Sequence, residues 1–141
     1  MIRVVAAIIE REDRRLLIGQ RRRDDSSALK WEFPGGKMEE GEASEAALAR
    51  ELKEELGAQL QKCVLVGSVM HRYAASPEEL EISFYAASIA EGELTPHSFE
   101  RIEWVLPREL GNYDFLAANL ELVANLATGR IKPTEILDAS A

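Results

Sequence analysis

The chain has one cysteine, Cys63, in 141 residues. An intrachain disulfide is therefore excluded, and a lone thiol fits a reducing compartment. Long hydrophobic runs are also missing. The apolar stretch from Val4 to Ile9 is followed at once by Glu10, Arg11, Glu12 and Asp13. It is too short for the core of a secretory leader and far too short to span a bilayer. A cytoplasmic protein with no membrane partner is expected. Positive charge is scarce, with 17 Lys and Arg against 25 Asp and Glu, a formal net charge of −8. That balance argues against binding to polymeric nucleic acid or anionic membranes. It leaves room for a small anionic nucleotide, provided metal ions and a few arginines offset the local field. Repeats and linkers are absent too. A single domain over residues 1–141 is expected, with residues from about 132 to 141 as a loose tail. Apolar content of 46% and charged content of 30% suit an ordinary soluble globular protein.

What is present centres on the stretch from Gly35 to Ala58, GGKMEEGEASEAALARELKEELGA. It opens as a loop, where Gly35, Gly36 and Gly41 permit backbone angles closed to other residues. From about Ser44 the pattern is helical. Ala47, Leu48, Leu52 and Leu56 form one apolar stripe, and Gly57 reads as the stop. Glu51, Glu54 and Glu55 lie three and four residues apart, so their side chains share one patch. Such a cluster is either a solvated acidic face or a site for a hard divalent cation, which prefers oxygen ligands and is shared with substrate phosphates.

The spacing of the whole stretch favours the second reading. Gly36, Glu42, Arg50, Glu51, Glu54, Glu55 and Gly57 together resemble the signature of the Nudix hydrolases, G-x5-E-x7-R-E-U-x-E-E-x-G-U. At average residue frequencies, a chance match to seven fixed positions is about 10⁻⁸ per start site. The last aliphatic position holds Ala58, a minor packing change. The resemblance covers nearly the whole chain. It implies an α+β Nudix fold, a mixed β-sheet sandwiched between α-helices (α/β/α). It also implies hydrolysis of a nucleoside diphosphate linked to another group, with Mg²⁺ or Mn²⁺ required.

Carried over by motif position, Glu51, Glu54 and Glu55 would be metal ligands, with the Gly35 carbonyl beside them. Glu51 is the leading candidate to accept the proton of the attacking water. Arg50 would hold a neighbouring carboxylate in place, and Glu42 would support the loop. Trp31-Glu32-Phe33-Pro34-Gly35-Gly36 is typical of the MutT-like branch, in which the Phe lies near the base. Phe33 is read there or as core, and Trp31 as core. Arg21, at a strand end, would reach a phosphate or base, or is plain loop. Arg22 and Arg23 are weaker candidates. By the same resemblance, Gly36 and Lys37 would border the phosphates. Asn119 either caps the last helix or hydrogen-bonds the purine edge. Two positions depart from the MutT-like pattern. Ser98 stands where a further metal-binding Glu is common, so Glu100 or Glu103 would have to substitute. Glu78 and Glu79 stand where a basic residue is common.

Along the rest of the chain, Ile2–Glu10 and Arg15–Arg21 read as the two arms of a hairpin. Residues 59–72 read as a strand with a bulge near Gly67 and Ser68. Ala74–Glu79 reads as a loop. Leu80–Ser88 is a strand with Leu80, Ile82, Phe84 and Ala86 on one face. Thr95–Glu100 is a loop, Ile102–Leu106 a strand and Pro107–Leu110 a helical turn. The last helix spans about Leu120–Ala127, with Leu120, Val123, Ala124 and Leu126 inward.

Three functions follow from the resemblance. The first is a MutT-like nucleoside triphosphate pyrophosphohydrolase acting on 8-oxo-dGTP, dGTP or CTP and releasing the monophosphate and pyrophosphate. The second keeps the chemistry but takes ADP-ribose or a dinucleoside polyphosphate. The third is a non-catalytic nucleotide-binding module, which would be expected to have lost one of the carboxylates kept here. A monomer or homodimer is expected.

Overall fold

The computed structural model describes residues 1–73 and 77–140. Its strands are β1 (Ile2–Ile9), β2 (Leu16–Arg21), β3 (Trp31–Glu32), β4 (Gly35–Lys37), β5 (Leu60–His71), β6 (Leu80–Ile89) and β7 (Phe99–Val105). The helices are α1 (Ser44–Leu56), α2 (Leu120–Ala127) and α3 (Pro133–Ala139), with 3-10 turns at Pro107–Asn112 and Ala117–Asn119. The strands form two sheets, ordered β4-β1-β6-β5 and β3-β2-β7. Among the described strand pairs, β1 and β6 run parallel and the others are antiparallel.

The near-continuous apolar run of β1 is explained by burial on both faces. Val5, Ala7 and Ile9 point to one side, where Leu48, Leu52 and Leu56 of α1 pack. Ala6 and Ile8 point to the other, toward Leu122, Val123 and Leu126 of α2. The result is the expected mixed sheet between helices.

Several local expectations change. The segments β1 and β2 are not a paired hairpin. They meet only at one bridge, Glu10 to Leu16, and β2 pairs instead with β3 and β7 in the second sheet. Alternation alone carries no information on which strand a neighbour chooses. The glycine loop begins as a strand, β4, and β7 starts three residues earlier than expected, at Phe99. The tail is not loose: Pro133–Ala139 is a helix. Glu10 accepts hydrogen bonds from the Thr134 amide at 3.1 Å and hydroxyl at 2.6 Å, and Lys62 Nζ donates to the Leu137 carbonyl at 2.5 Å. Leu120 is 54% exposed and Ala124 is exposed, while Leu122 is buried, so α2 is rotated from the expected inward face. The register shift between Leu65 and Gly67 matches the expected bulge. Of the Ala74–Glu79 loop, residues 74–76 lie outside the described residues.

Candidate active site

Helix α1 presents its acids because its other face is committed. Ala47, Leu48, Leu52 and Leu56 are fully buried, which turns Arg50, Glu51, Glu54 and Glu55 away from the core. The helix ends where Gly57 adopts a left-handed φ of 67°. There the amides of Gly57 and Ala58 donate to the carbonyls of Lys53 at 2.9 Å and Leu52 at 3.2 Å.

Strand β4 lies against both β1 and this helix, where a β-carbon on either of its first two glycines would collide. A β-carbon on Gly35 would sit 1.9 Å from the Val5 carbonyl oxygen. One on Gly36 would sit 2.4 Å from the Glu51 carboxylate. The Gly35 amide donates to Glu55 Oε1 at 2.8 Å.

Arg50 organises the acids on its side of the helix. Its Nε and Nη2 donate to the two oxygens of Glu42 at 2.8 and 2.9 Å. Nη1 donates to Glu51 Oε1 at 2.9 Å and to Glu54 Oε2 at 3.4 Å. Nη2 also donates to the Lys37 carbonyl at 3.0 Å. The fork–fork geometry on Glu42 is of the strong, orienting kind. Those bonds, with one from the Glu39 amide, hold the Glu42 carboxyl down at about 2. The same carboxylates push the Arg50 guanidinium up.

Glu51 and Glu55 line a cleft of about 810 Å³ together with Gly35, Gly36 and Lys37. Phe33, Arg21 and Asn119 line the same cleft. Phe33 is buried and stacks on Phe115 at 5.4 Å, so it belongs both to the core and to the cleft wall. Trp31 is core, edge-on to Tyr113. Asn119 precedes α2 but makes no capping hydrogen bond, and it is the only buried polar residue among the described residues. That removes the N-cap reading: its backbone is already helical, with φ −97° and ψ −8°, rather than in the extended shape a cap needs.

Two expected residues lie elsewhere. Glu54 is 58% exposed, bonded to Arg50, and does not line the cleft. Glu100 is paired with Arg23 at 3.5 Å and also lies outside the cleft, whereas Ser98 lines it. Glu100 lies within β7 with its carboxylate directed to Arg23, whereas Ser98 precedes that strand. Glu103 pairs with Arg101 at 4.0 Å.

Glu32 was not anticipated. It lines the cleft, and its carboxylate oxygens each lie 3.3 Å from Arg21 Nη1. Burial pushes its carboxyl up despite that pairing. Its position in the Trp-Glu-Phe-Pro-Gly-Gly run was the available signal. Burial likewise pushes Glu55 up to about 8, with Glu32 and Glu51 adding repulsion against the lowering effect of the Gly35 amide. Among the described residues, no three acidic, thiol or imidazole side chains already form a metal cage. Glu51, Glu55 and Gly35 nevertheless line one cleft, and carboxylate and carbonyl oxygens are the ligand types a hard divalent cation prefers.

The fold and this acidic cleft under a Glu-rich helix define a class of phosphate-processing enzymes, and comparison with known proteins agrees. The NUDIX domain profile matches residues 1–126. The CTP pyrophosphohydrolase of Escherichia coli K12 is 35% identical over 136 residues, covering 96% of this chain and 98% of that protein. The 8-oxo-dGTP diphosphatase of the same organism is 33% identical over 125 residues, covering 89% and 95%. The solution structure of the E. coli ORF135 protein superposes with a TM-score of 0.76 at 32% identity, covering 92% and 91%. The chain belongs to the NUDIX family, in its MutT-like branch. It is a hydrolase acting on phosphoric anhydride bonds. Enzymes of this family generally use divalent metal ions and act on small nucleotides. Among the described residues, no helix is long and apolar enough to cross a membrane.

Proposed function

We propose that this enzyme is a nucleoside triphosphate pyrophosphohydrolase of the 8-oxo-dGTP, dGTP or CTP type. It releases the monophosphate and pyrophosphate by attack of water at phosphorus. The observation that carries the reading is the convergence of Phe33, Asn119 and Arg21 on the cleft that Glu51 and Glu55 also line. A cleft with carboxylates at one part and an apolar ring with a free carboxamide at another suits a nucleotide whose base is read.

Glu51 and Glu55, with the Gly35 carbonyl, are the groups that would hold Mg²⁺, or Mn²⁺ in its place. Glu54 would join them by leaving Arg50. When bound, such a cation would neutralise phosphate charge and lower the pKa of water. Glu51 is the proposed acceptor of the water's proton at its carboxylate, a role worth about 10²–10⁴ in rate. Arg50 holds Glu51 in register from the side opposite Glu42. Asn119 offers an amide donor and a carbonyl acceptor to a base edge, and Phe33 gives the apolar surface beside it. Lys37, exposed at the rim, adds positive charge for the phosphates.

The test is a substrate panel with Mg²⁺, ranking 8-oxo-dGTP, dGTP, CTP, dCTP, ADP-ribose and a dinucleoside tetraphosphate by kcat/KM, with products identified by chromatography. A triphosphate should lead, with pyrophosphate released. A lead for ADP-ribose or the dinucleotide would overturn the base-reading cleft and leave only the hydrolytic motif.

A further inference from the structure

A second cavity, of about 440 Å³, lies between the turn that joins β1 to β2, the start of the Pro107–Asn112 turn and the junction of α2 with α3. It shares no lining residue with the acidic cleft. Asn119 precedes α2, and this cavity is built at the other end of that helix, at Leu126 and Ala127. Its volume falls in the range of small-molecule sites, about 300–1,000 Å³. Leu106, Pro107, Leu126, Ile131 and Pro133 supply its apolar lining.

Two polar groups on its wall are incompletely partnered. The Glu10 side chain is only 9% exposed. Its Oε1 accepts both Thr134 bonds, at 3.1 and 2.6 Å. Its Oε2 faces Arg14 Nη1 at 3.7 Å, beyond hydrogen-bond range. A carboxylate oxygen kept from water without a donor is costly. The Arg108 guanidinium makes no hydrogen bond or ion pair among the described residues. The other charges on the wall offset one another: Lys132 lies 3.9 Å from Glu135, and Arg14 faces Glu10. Arg108 is the cation left over, in a chain with a formal net charge of −8.

Arg14 is held at this wall against its backbone preference. Its φ is 72°, in the left-handed region where the Cβ of an L-residue crowds the backbone. Glycine would adopt that shape without strain. Asp13 locks the turn by accepting from Arg11 Nε and Nη2 at 3.0 and 2.8 Å and from Arg15 Nη1 at 3.0 Å. A strained residue fastened on both sides, with a charged side chain at a cavity, points to a use for that side chain.

We propose that this cavity binds a small organic monoanion that carries an apolar body and one hydrogen-bond donor. Its carboxylate pairs with Arg108, with Arg14 adding positive potential, and its donor meets Glu10 Oε2. Its apolar body lies on Leu106, Pro107, Leu126 and Ile131. The wall has one uncompensated positive charge, so a single negative charge balances it. The site does not depend on which nucleotide the acidic cleft takes.

The probe is N-acetyl-L-leucine, which has one carboxylate, one amide N–H and an apolar side chain. It is titrated into metal-free, ¹⁵N-labelled protein and followed by amide chemical shifts. Saturable shifts are expected at Leu106, Arg108, Leu126–Gly129 and Thr134, with a Kd of about 1 mM, the scale for a ligand of about a dozen heavy atoms. The neutral N-acetyl-L-leucinamide should bind about tenfold more weakly, as should the acid to R108A. Arg108 is exposed, so R108A should melt like wild type, which separates lost binding from lost fold. Arg14→Gly should melt higher, because the strain is relieved, and still bind the acid several-fold more weakly. Shifts that do not saturate, shifts confined to the acidic cleft, equal affinity for the amide, or wild-type affinity in R108A or R14G would each overturn the proposal.

Discussion

Gly36 and Glu51 are in contact across the β4–α1 boundary, and the contact leaves no room for a methyl group. A β-carbon on Gly36 would stand 2.4 Å from the carboxyl carbon of Glu51. Because Glu51 is also held by Arg50 at 2.9 Å, it has little freedom to withdraw.

Gly36→Ala should therefore displace Glu51 and lower kcat/KM by about 10², the usual scale for a misplacement of about 1 Å in a catalytic group. Thermal melting should show a much smaller effect, because the shift falls at the cleft edge and not in the core. Steady-state kinetics beside a melting curve checks both parts. Wild-type kcat/KM in the variant would remove Glu51 from the chemistry.

Glu51→Gln and Glu54→Gln should both abolish most Mg²⁺-dependent turnover while leaving the fold. For Glu51 the expected loss is about 10²–10⁴ in kcat. The Glu54 variant is the sharper test, since this side chain is exposed and bonded to Arg50 in the metal-free arrangement. Retained activity in E54Q would mean that Glu54 stays on Arg50 throughout.

Asn119→Ala should change the ranking among bases and leave stability nearly unmoved. The residue makes no capping bond whose loss would weaken α2. A site that hydrogen-bonds a base discriminates through that pairing, so the ratio of kcat/KM between purine and pyrimidine triphosphates is the quantity to measure. A uniform loss across bases would refute base reading.

Glu100→Gln should leave kcat within about twofold of wild type, the range of an ordinary surface change. Its carboxylate pairs with Arg23 outside the cleft. A loss like that of E51Q would show that β7 rearranges to bring Glu100 into the site.

Glu42 should leave a signature in acid unfolding. Its carboxyl is held at about 2 in the folded protein, below the ordinary value of 4.5, chiefly by Arg50. A group lowered by folding stabilises fully above its unfolded pKa, and that contribution disappears as pH falls through the interval toward 2. Chemical denaturation at pH 7, 4 and 2.5 should show wild type losing stability faster than Glu42→Gln across this window. Parallel pH profiles would contradict the assignment.

The motif was legible because its constraints are local. Helix periodicity set the buried stripe of α1, and the left-handed position of Gly57 ended it. These relations span few residues, so order along the chain is enough to state them. The pairing of β2 with β7 was not legible, because alternating strands suit many neighbours and only the packing of both sheets against the helices selects one. The same holds for α3, whose short sequence is stabilised by Glu10 and Lys62 from distant strands. The sequence by itself determined the chemistry: a family of anhydride hydrolases and the acids of one helix. Only the tertiary structure decided which acids face the cleft. It turned Glu100 and Glu54 toward arginines, brought Glu32 inward, and engaged Arg21 with its own loop. Glu100 meets Arg23 from far along the chain and Glu32 meets Arg21 across the 22–30 segment, while Glu54 and Arg21 choose among nearer partners; burial together with charge pairing, which act through space, selected each.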